Sequence, residues 1–137
     1  MGTFLSLSGV INGEGRAVER SIGSFAASHG GVFEPRDGTF DDPDIAIVTT
    51  SVGNTTVLYP QHFIGWDELS KHLSIEFHAP VFSLHIHDGD LWMFILFDKG
   101  EKVTQFNPLP DYWEELEPEE KANWLCDVHA ICQRLPD

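Results

Sequence analysis

The sequence predicts an α+β domain in which helices pack on one face of a mainly antiparallel sheet of about six strands. The chain has 137 residues, a length typical of one domain. Of these, 42% are hydrophobic, including ten Phe and four Trp, which is enough to form a core. The apolar patterns follow one another in the order β-α-ββ-α-βββ-α, and most strands are joined directly by short turns. Such strands form antiparallel hairpins, whereas a parallel sheet requires strand–helix–strand repeats.

The first half of the chain predicts four elements from its hydrophobic spacing. They are a strand over 4–11, a helix over 18–29, and two strands over 45–50 and 55–59. Gly30-Gly31 ends the helix, because glycine readily adopts the conformation that closes a helix. Gly53-Asn54 joins the two strands as a hairpin. A turn-rich acidic loop, 35–44, separates the helix from that hairpin.

The second half of the chain predicts five further elements. They are a helix over 66–77, three strands over 81–87, 91–97 and 102–106, and a last helix that begins at Pro118. Proline suits the first turn of a helix, and the two glutamates that follow complement the positive end of the helix dipole. Apolar residues at helical spacing, among them Leu125, Val128 and Cys132, predict that this helix reaches Leu135.

Charge and cysteine content exclude several classes of protein. Eight Lys and Arg against 22 Asp and Glu give a net charge of −14, which argues against binding to nucleic acid or to an anionic membrane. The longest apolar run, Leu91 to Phe97, is too short to span a bilayer. Two cysteines do not make a disulfide framework. The N-terminal segment lacks the features of a secretory signal, so we expect a cytoplasmic protein with reduced thiols.

The central hairpin, 81–97, carries the main prediction about binding. If Asp88-Gly89 is a two-residue turn, His85 and His87 share one face of the sheet with Trp92 and Phe94. A three-residue turn would exchange the two faces of the second strand.

With the two-residue turn, one face of this hairpin is wholly apolar and forms the core beneath the helices; it carries Phe82, Leu84, Ile86, Leu91, Met93, Ile95 and Phe97. The other face is also too apolar to be left in water. We expect it to be covered by another subunit, a partner protein, a small ligand or part of the acidic loop. The candidate binding residues on this face are Ser83, His85, His87, Trp92 and Phe94.

The segment 85–90, HIHDGD, is a candidate metal site. Histidines at alternate strand positions project to one side, where both can bind zinc or iron, and Asp88 or Asp90 can supply an oxygen ligand. The alternative is that Asp88-Gly89 only forms the turn and that the two histidines pack against Trp92 and Phe94. Apart from such a metal, zinc above all, the sequence indicates no cofactor.

A second candidate binding surface follows the last strand. Tyr112 and Trp113 lie beside six carboxylates within 111–120. Aromatic anchors provide affinity and carboxylates accelerate association, so the segment suits docking to a basic partner. The alternative is a solvated loop that leads into the last helix.

Two segments carry a resemblance to known proteins. FSLHIHDGDLWMFILFDKGEKVTQFNP and PLPDYW are similar to a family of uncharacterised bacterial proteins, over about residues 55–116. The resemblance implies a small bacterial cytosolic protein, and it transfers neither an activity nor a catalytic residue. In size and acidity the chain also loosely resembles the immunity proteins that neutralise toxins.

The sequence supports two hypotheses of function. The favoured hypothesis is a non-catalytic, acidic binding module, homodimeric or bound to a partner protein, that uses the hairpin face and the Tyr112–Trp113 segment. The alternative is a metal-dependent hydrolase that uses His85, His87, Asp88 and Asp90 as ligands.

Overall fold

The computed structural model describes residues 2–39 and 44–136. Those residues form six strands and four helices, which confirms the predicted α+β class. The strands are β1 (Leu5–Val10), β2 (Ile47–Ser51), β3 (Asn54–Leu58), β4 (Pro80–His87), β5 (Leu91–Asp98) and β6 (Glu101–Phe106). The helices are α1 (Gly15–Ser28), α2 (Trp66–Phe77), α3 (Pro118–Ala122) and α4 (Val128–Arg134). The sheet has the order β2-β3-β1-β4-β5-β6, and every neighbouring pair is antiparallel.

Helices α1 and α2 are the two long helices, and their ends follow local rules. The carboxylate of Glu14 accepts the backbone N–H groups of Arg16 and Ala17, so it caps α1. Two acidic residues in the first turn of α2 favour its N-terminus electrostatically. The helix ends at His78, which adopts the left-handed conformation.

The hydrophobic core lies between these two helices and one face of the sheet. Its buried side chains come from both helices and from β1, β3 and β4, with Tyr59 just beyond β3; they are Val10, Val18, Ile22, Val57, Tyr59, Leu69, Leu73 and Val81. The predicted packing of helices on one face is thus confirmed for α1 and α2.

The predicted two-residue turn between β4 and β5 is wrong, because the turn has three residues, 88–90. His87 pairs with Leu91, and Asp90 N–H donates to the His87 carbonyl at 3.1 Å. Asp88 and Gly89 both have positive φ, of 54° and 72°. The additional turn residue exchanges the two faces of β5, so His85 lies opposite Met93 rather than beside Trp92 and Phe94.

The faces of the sheet are therefore assigned differently from the prediction. Ser83 and His85 lie on the core face beneath α2, where both are buried. Phe82, Leu84 and Ile86, which were predicted to form the core, lie on the opposite face and are only half-buried. We call this second surface the open face; the apolar strand residues that it leaves partly exposed include Leu5, Leu7, Leu58, Phe82, Leu84, Ile86, Trp92 and Phe94. Leu96, which pairs with Phe82, lies on the same side but is fully buried.

The predicted last helix begins at Pro118 but is interrupted after Ala122. Its chain is held against β6 by two bonds, from Asn107 N–H to the Trp124 carbonyl and from Asp127 N–H to Thr104 Oγ1. Asp127 then caps a second helix, α4, by accepting the N–H of Ala130 at 3.1 Å. The predicted apolar stripe is not formed, because Leu125, Val128 and Cys132 are exposed.

Two further points concern the predictions about loops and membranes. The β2–β3 hairpin is present, but its turn is Val52-Gly53 rather than Gly53-Asn54. Residues 40–43 of the acidic loop lie outside the described residues. None of the helices in the described part of the chain is long and apolar enough to cross a membrane.

Candidate functional site

A cluster of polar side chains lies where the N-terminal end of α2 packs on β1 and β4. Ser6 Oγ on β1 is hydrogen-bonded to His85 Nδ1 at 2.8 Å, and the other ring nitrogen, Nε2, lies 3.4 Å from His87 Nδ1. The two histidines therefore point to the same side of β4, as their alternate positions predict. We call Ser6, Asp67, Ser83, His85 and His87 the histidine cluster.

His85 is the central residue of this cluster. Its imidazole stacks on the indole of Trp66, with 4.4 Å between ring centroids and an interplanar angle of 10°. Burial lowers the pKa of His85, and the neighbouring His87 lowers it further, while Asp67 acts in the opposite sense. His85 is therefore held toward its neutral form, in which one ring nitrogen can accept a hydrogen bond or bind a metal.

Asp67 is the acidic member of the histidine cluster. Ser83 Oγ donates a hydrogen bond to Asp67 Oδ1 at 2.6 Å. Burial raises the pKa of Asp67, although the bond from Ser83 and the positive charge of Lys102 act in the opposite sense. A half-buried carboxyl group with a raised pKa is a feature of many functional sites, and it also occurs in purely structural networks.

Serine, histidine and aspartate are all present, but they are not connected as a catalytic triad. In a triad the histidine lies between the nucleophile and the carboxylate. Here the hydroxyl of Ser6 is bound to Nδ1, the nitrogen that a triad directs to its carboxylate. Asp67 is bound to Ser83 instead. The cluster thus has the geometry of a buried polar network rather than that of a serine hydrolase.

The Tyr112–Trp113 segment folds back onto the second histidine. The ring of His87 lies 5.7 Å from that of Tyr112, 5.2 Å from that of Trp113 and 4.9 Å from that of Phe4, and all three contacts are edge-on. Trp113 remains 54% exposed. Asp111 is bound to Lys121 at 2.7 Å, which fixes the start of the acidic segment against α3. Docking of a basic partner to this segment stays a prediction.

The structure divides the predicted binding residues into two groups. Ser83, His85, His87, Tyr112 and Trp113 belong to the histidine cluster or contact it. Trp92 and Phe94 lie on the open face, where both contact Phe106. These two aromatic residues are therefore separated from the histidines by the sheet itself.

The proposed metal ligands are brought together only in part. Two ligands of a tetrahedral zinc ion at about 2.0–2.1 Å lie about 3.4 Å apart, and the two imidazole nitrogens have that spacing. Asp88 lies in the turn beside Gly2, and Asp90 is exposed at the end of that turn. Within 2–39 and 44–136, no three His, Cys, Asp or Glu side chains form a group that could hold a metal ion.

Sequence analysis did not identify Ser6, Trp66 or Asp67 as members of the cluster. One feature of the sequence indicated part of the cluster: β1, LSLSGV, has serines at alternate positions. In a strand at the centre of a sheet, such serines point into the core and need partners there. Their partners lie on distant segments, which only the fold brings together.

The open face is apolar across four adjacent strands. Leu7 pairs with Leu58 on β3 and with Leu84 on β4, and Leu84 in turn pairs with Phe94 on β5. The helices that contact β1, β3 and β4 are α1 and α2, which lie on the other side of the sheet. Helix α4 lies mainly against β6, and its Arg134 pairs with Asp98 at the end of β5, at 3.1 Å.

Comparison with known proteins adds no family and no homologue to this description. No protein-family model, no curated protein and no solved structure matches the chain.

Proposed function

We propose that the chain is a non-catalytic binding module that associates with a second copy of itself through the open face. The observation that carries this proposal is the continuous apolar surface over β3, β1, β4 and β5, on which Trp92 is 47% exposed. A contiguous apolar surface of this kind is typical of a protein–protein interface.

The dimensions of the open face suit a small dimer interface. Strands β4 and β5 have eight residues each, β1 has six and β3 has five. At about 3.4 Å per residue and about 4.8 Å between strands, the four strands cover roughly 440 Å². Two copies would then bury about 900 Å² in total, close to the roughly 1,000 Å² at which specific interfaces begin, so we expect a dimer of modest affinity.

The distribution of charge favours a second copy over a basic partner. The chain has a net charge of −14, so two copies repel each other at most orientations. The strand positions of the open face carry charged side chains at one end only, where Asp98 pairs with Glu101 and is bound to Arg134. Away from that end, two copies can meet without opposing carboxylates, whereas a basic partner would find no carboxylates to bind.

A two-fold arrangement also suits the shape of this surface. A two-fold interface presents the same patch on both subunits, and sheets pack face to face through interdigitating side chains. The rings of Phe82, Phe94, Phe106 and Trp92 form a connected aromatic group on the open face. Aromatic groups near the centre of an interface contribute most of its binding energy.

Sedimentation equilibrium of the purified chain tests the proposal. We expect a species of twice 15.4 kDa at micromolar concentration. Trp92→Lys and Leu84→Lys should convert it to the monomer, because each places a charge in the apolar contact. Ile64→Lys is the matched control, since Ile64 is 85% exposed and lies in the loop before α2 rather than on a strand of the open face.

Two outcomes would contradict the proposal. A wild-type chain that remains monomeric up to about 100 μM excludes a dimer of useful affinity. A dimer that persists in both folded variants places the interface elsewhere. Circular dichroism of each variant separates loss of association from loss of fold.

The spacing of the two histidines supports a second candidate, a metal-dependent hydrolase. His85 Nε2 and His87 Nδ1 are 3.4 Å apart, as two zinc ligands would be. Metal content after purification without chelators tests this candidate. Near-stoichiometric zinc that is lost in His87→Ala, and retained in the exposed control His62→Ala, would support it. Absence of bound metal in a folded protein would contradict it.

A further inference from the structure

A cavity of about 1060 Å³ lies beside α1 on the core side of the sheet, and no residue of the open face or of the histidine cluster lines it. Ligand sites in proteins have volumes of about 300–1,000 Å³. Its apolar wall includes four aromatic residues, Phe25, Phe33, Tyr59 and Phe63. The hydroxyl group of Tyr59 is bound to Ser8 at 2.6 Å, so its polar end is already occupied. We call this space the α1 cavity.

Three of the four arginines in the chain line the α1 cavity. They are Arg16, Arg20 and Arg36, whereas Arg134 is bound to Asp98 at the opposite side of the sheet. The chain has only eight basic residues against 22 acidic ones. Such a concentration of guanidinium groups around one space therefore requires a physical reason.

The positions of Arg16 and Arg20 are unfavourable for the helix that carries them. They are four residues apart on α1, so two like charges lie on adjacent turns of one face. Arg16 also lies in the first turn, where the helix dipole disfavours a positive charge. Neither side chain forms a hydrogen bond or an ion pair with the described residues, although the carboxylate of Glu14, which caps α1, attracts both electrostatically. An anionic ligand would offset both penalties further.

The charge of the cavity wall limits the ligand to a small negative charge. Three carboxylates, Glu19, Glu34 and Asp44, line the cavity together with the three arginines. The wall is thus close to neutral, on a chain whose net charge is −14. A neutral wall provides no net attraction for a doubly charged phosphate, whereas a single carboxylate needs only the two guanidinium groups of Arg16 and Arg20. Arginine binds a carboxylate through two parallel hydrogen bonds.

We propose that the α1 cavity binds an amphipathic carboxylic acid of the fatty-acid type. Its carboxylate lies between Arg16 and Arg20 at the rim, and its apolar chain lies against Phe25, Tyr59 and Phe63. Both arginines are exposed at the surface of α1, and Ile22 and Leu69, which also line the cavity, are buried. The exposed, charged rim of the cavity therefore matches the carboxylate of the ligand, and the buried, apolar end matches its chain.

Titration with decanoate, followed by calorimetry and by amide chemical shifts, tests this proposal. We expect saturable binding with shifts at Gly23, Phe25 and Phe63, which line the cavity. Decan-1-ol, the neutral analogue, should bind at least tenfold more weakly. The variant Arg16→Gln/Arg20→Gln should lose at least tenfold in affinity for decanoate and little for decanol.

The matched control removes two positive charges outside the cavity. Lys71→Gln/Lys99→Gln changes the net charge by the same amount at two exposed positions, and its affinity for decanoate should be unchanged. If the double arginine variant does not fold, Arg20→Gln alone makes the same comparison.

Four results would each overturn the proposal. They are no binding of decanoate, equal binding of decanol, unchanged affinity in the folded arginine variant, and chemical shifts confined to the open face. The last result would show that decanoate binds only as a generic apolar molecule on the sheet.

Discussion

Ser83 on β4 and Asp67 in the first turn of α2 are joined by a 2.6 Å hydrogen bond, which fixes the helix to the centre of the sheet. Both residues lie beside His85, and Asp67 and His85 influence each other electrostatically. A charged or chargeable pair in this position makes the stability of the contact depend on pH.

The variant Asp67→Asn is expected to gain stability over the wild type as the pH rises. Burial raises the pKa of Asp67 in the folded protein, so the folded state binds the proton more tightly than the unfolded state. The contribution of Asp67 to stability is therefore greatest below its unfolded pKa of about 3.9 and is lost as the pH rises through the raised folded pKa. Asparagine does not titrate and can still accept the bond from Ser83.

Urea unfolding at pH 3.5, 5 and 7 measures this difference. The free energy of unfolding of Asp67→Asn, minus that of the wild type, should increase steadily over this range. Asp90→Asn removes one negative charge at an exposed position and is the matched control. A difference that falls as the pH rises would show that Asp67 is stabilised as a carboxylate.

The contribution of His85 to stability is expected to change with pH in the opposite direction to that of Asp67. Burial lowers its pKa in the folded protein, so its contribution is present above the unfolded pKa of about 6.5 and is lost as the pH falls through the lowered folded pKa. His85→Gln should therefore lose about 1–3 kcal/mol at pH 7.5, where the contacts with Ser6 and Trp66 are missing. The loss should become smaller towards pH 5.

Thermal or urea unfolding of His85→Gln between pH 7.5 and 5 checks this expectation. His62→Gln, at an exposed position in the loop before α2, is the control. A loss of stability that is the same at both ends of the range would indicate that His85 contributes only packing. Asp67 and His85 change the free energy of unfolding over overlapping pH ranges and in opposite directions. The pH profile of the wild type therefore shows only the sum of their contributions, whereas the two variants measure each contribution separately.

Ser8 carries the other polar contact between the sheet and the helices. Its hydroxyl lies 2.6 Å from the hydroxyl of Tyr59 and 2.6 Å from that of Ser70, and all three residues are buried. Ser8→Ala leaves two buried hydroxyl groups without this partner, so we expect a loss of about 2–3 kcal/mol in the free energy of unfolding. Burial also raises the pKa of Tyr59, so its hydroxyl stays protonated and can donate.

A double-mutant cycle with Tyr59→Phe separates this contact from simple loss of volume. The double variant should cost about 1 kcal/mol less than the sum of the two single variants, because the shared bond is counted only once. Ser24→Ala, at an exposed position of α1, should change stability by less than about 0.5 kcal/mol. Strict additivity would contradict the hydrogen-bonded arrangement.

Local sequence patterns predicted the fold class but not the faces of the central hairpin. Helical spacing and β-branched runs depend on neighbouring residues, so α1, α2 and the six strands could be identified. The length of the 88–90 turn depends on a bond from Asp90 N–H to His87, and Asp-Gly is compatible with both turn lengths. One additional turn residue moved every side chain of β5 to the other face.

The composition of the candidate site could not be predicted, because its members are distant in sequence. Ser6 and His85 are 79 positions apart and meet only because β1 lies beside β4 in the sheet.

The interruption of the last helix also depends on contacts between segments that are distant in sequence. The bonds of Asn107 to Trp124 and of Thr104 to Asp127 belong to the tertiary structure, and they override a helical pattern that the sequence supports locally.

A substitution in the turn of the β2–β3 hairpin should raise the stability of the folded protein. Val52 and Gly53 have φ values of 53° and 78°, the conformation of a type I′ turn, which favours Asn-Gly. A β-branched residue at positive φ is strained by about 1–3 kcal/mol. Val52 is also 95% exposed, so its side chain contributes no packing that a substitution would lose.

Val52→Asn is therefore expected to raise the free energy of unfolding by about 1 kcal/mol, measured by urea denaturation. Val32→Asn is the matched control: it makes the same substitution at a position that is 82% exposed and has no positive φ, so it should change stability by less than about 0.5 kcal/mol. The gain at residue 52 would come from relief of backbone strain alone, since the control removes an equally exposed side chain. If Val52→Asn gave no gain, or if both variants gained equally, the strain assigned to this turn would be absent in solution.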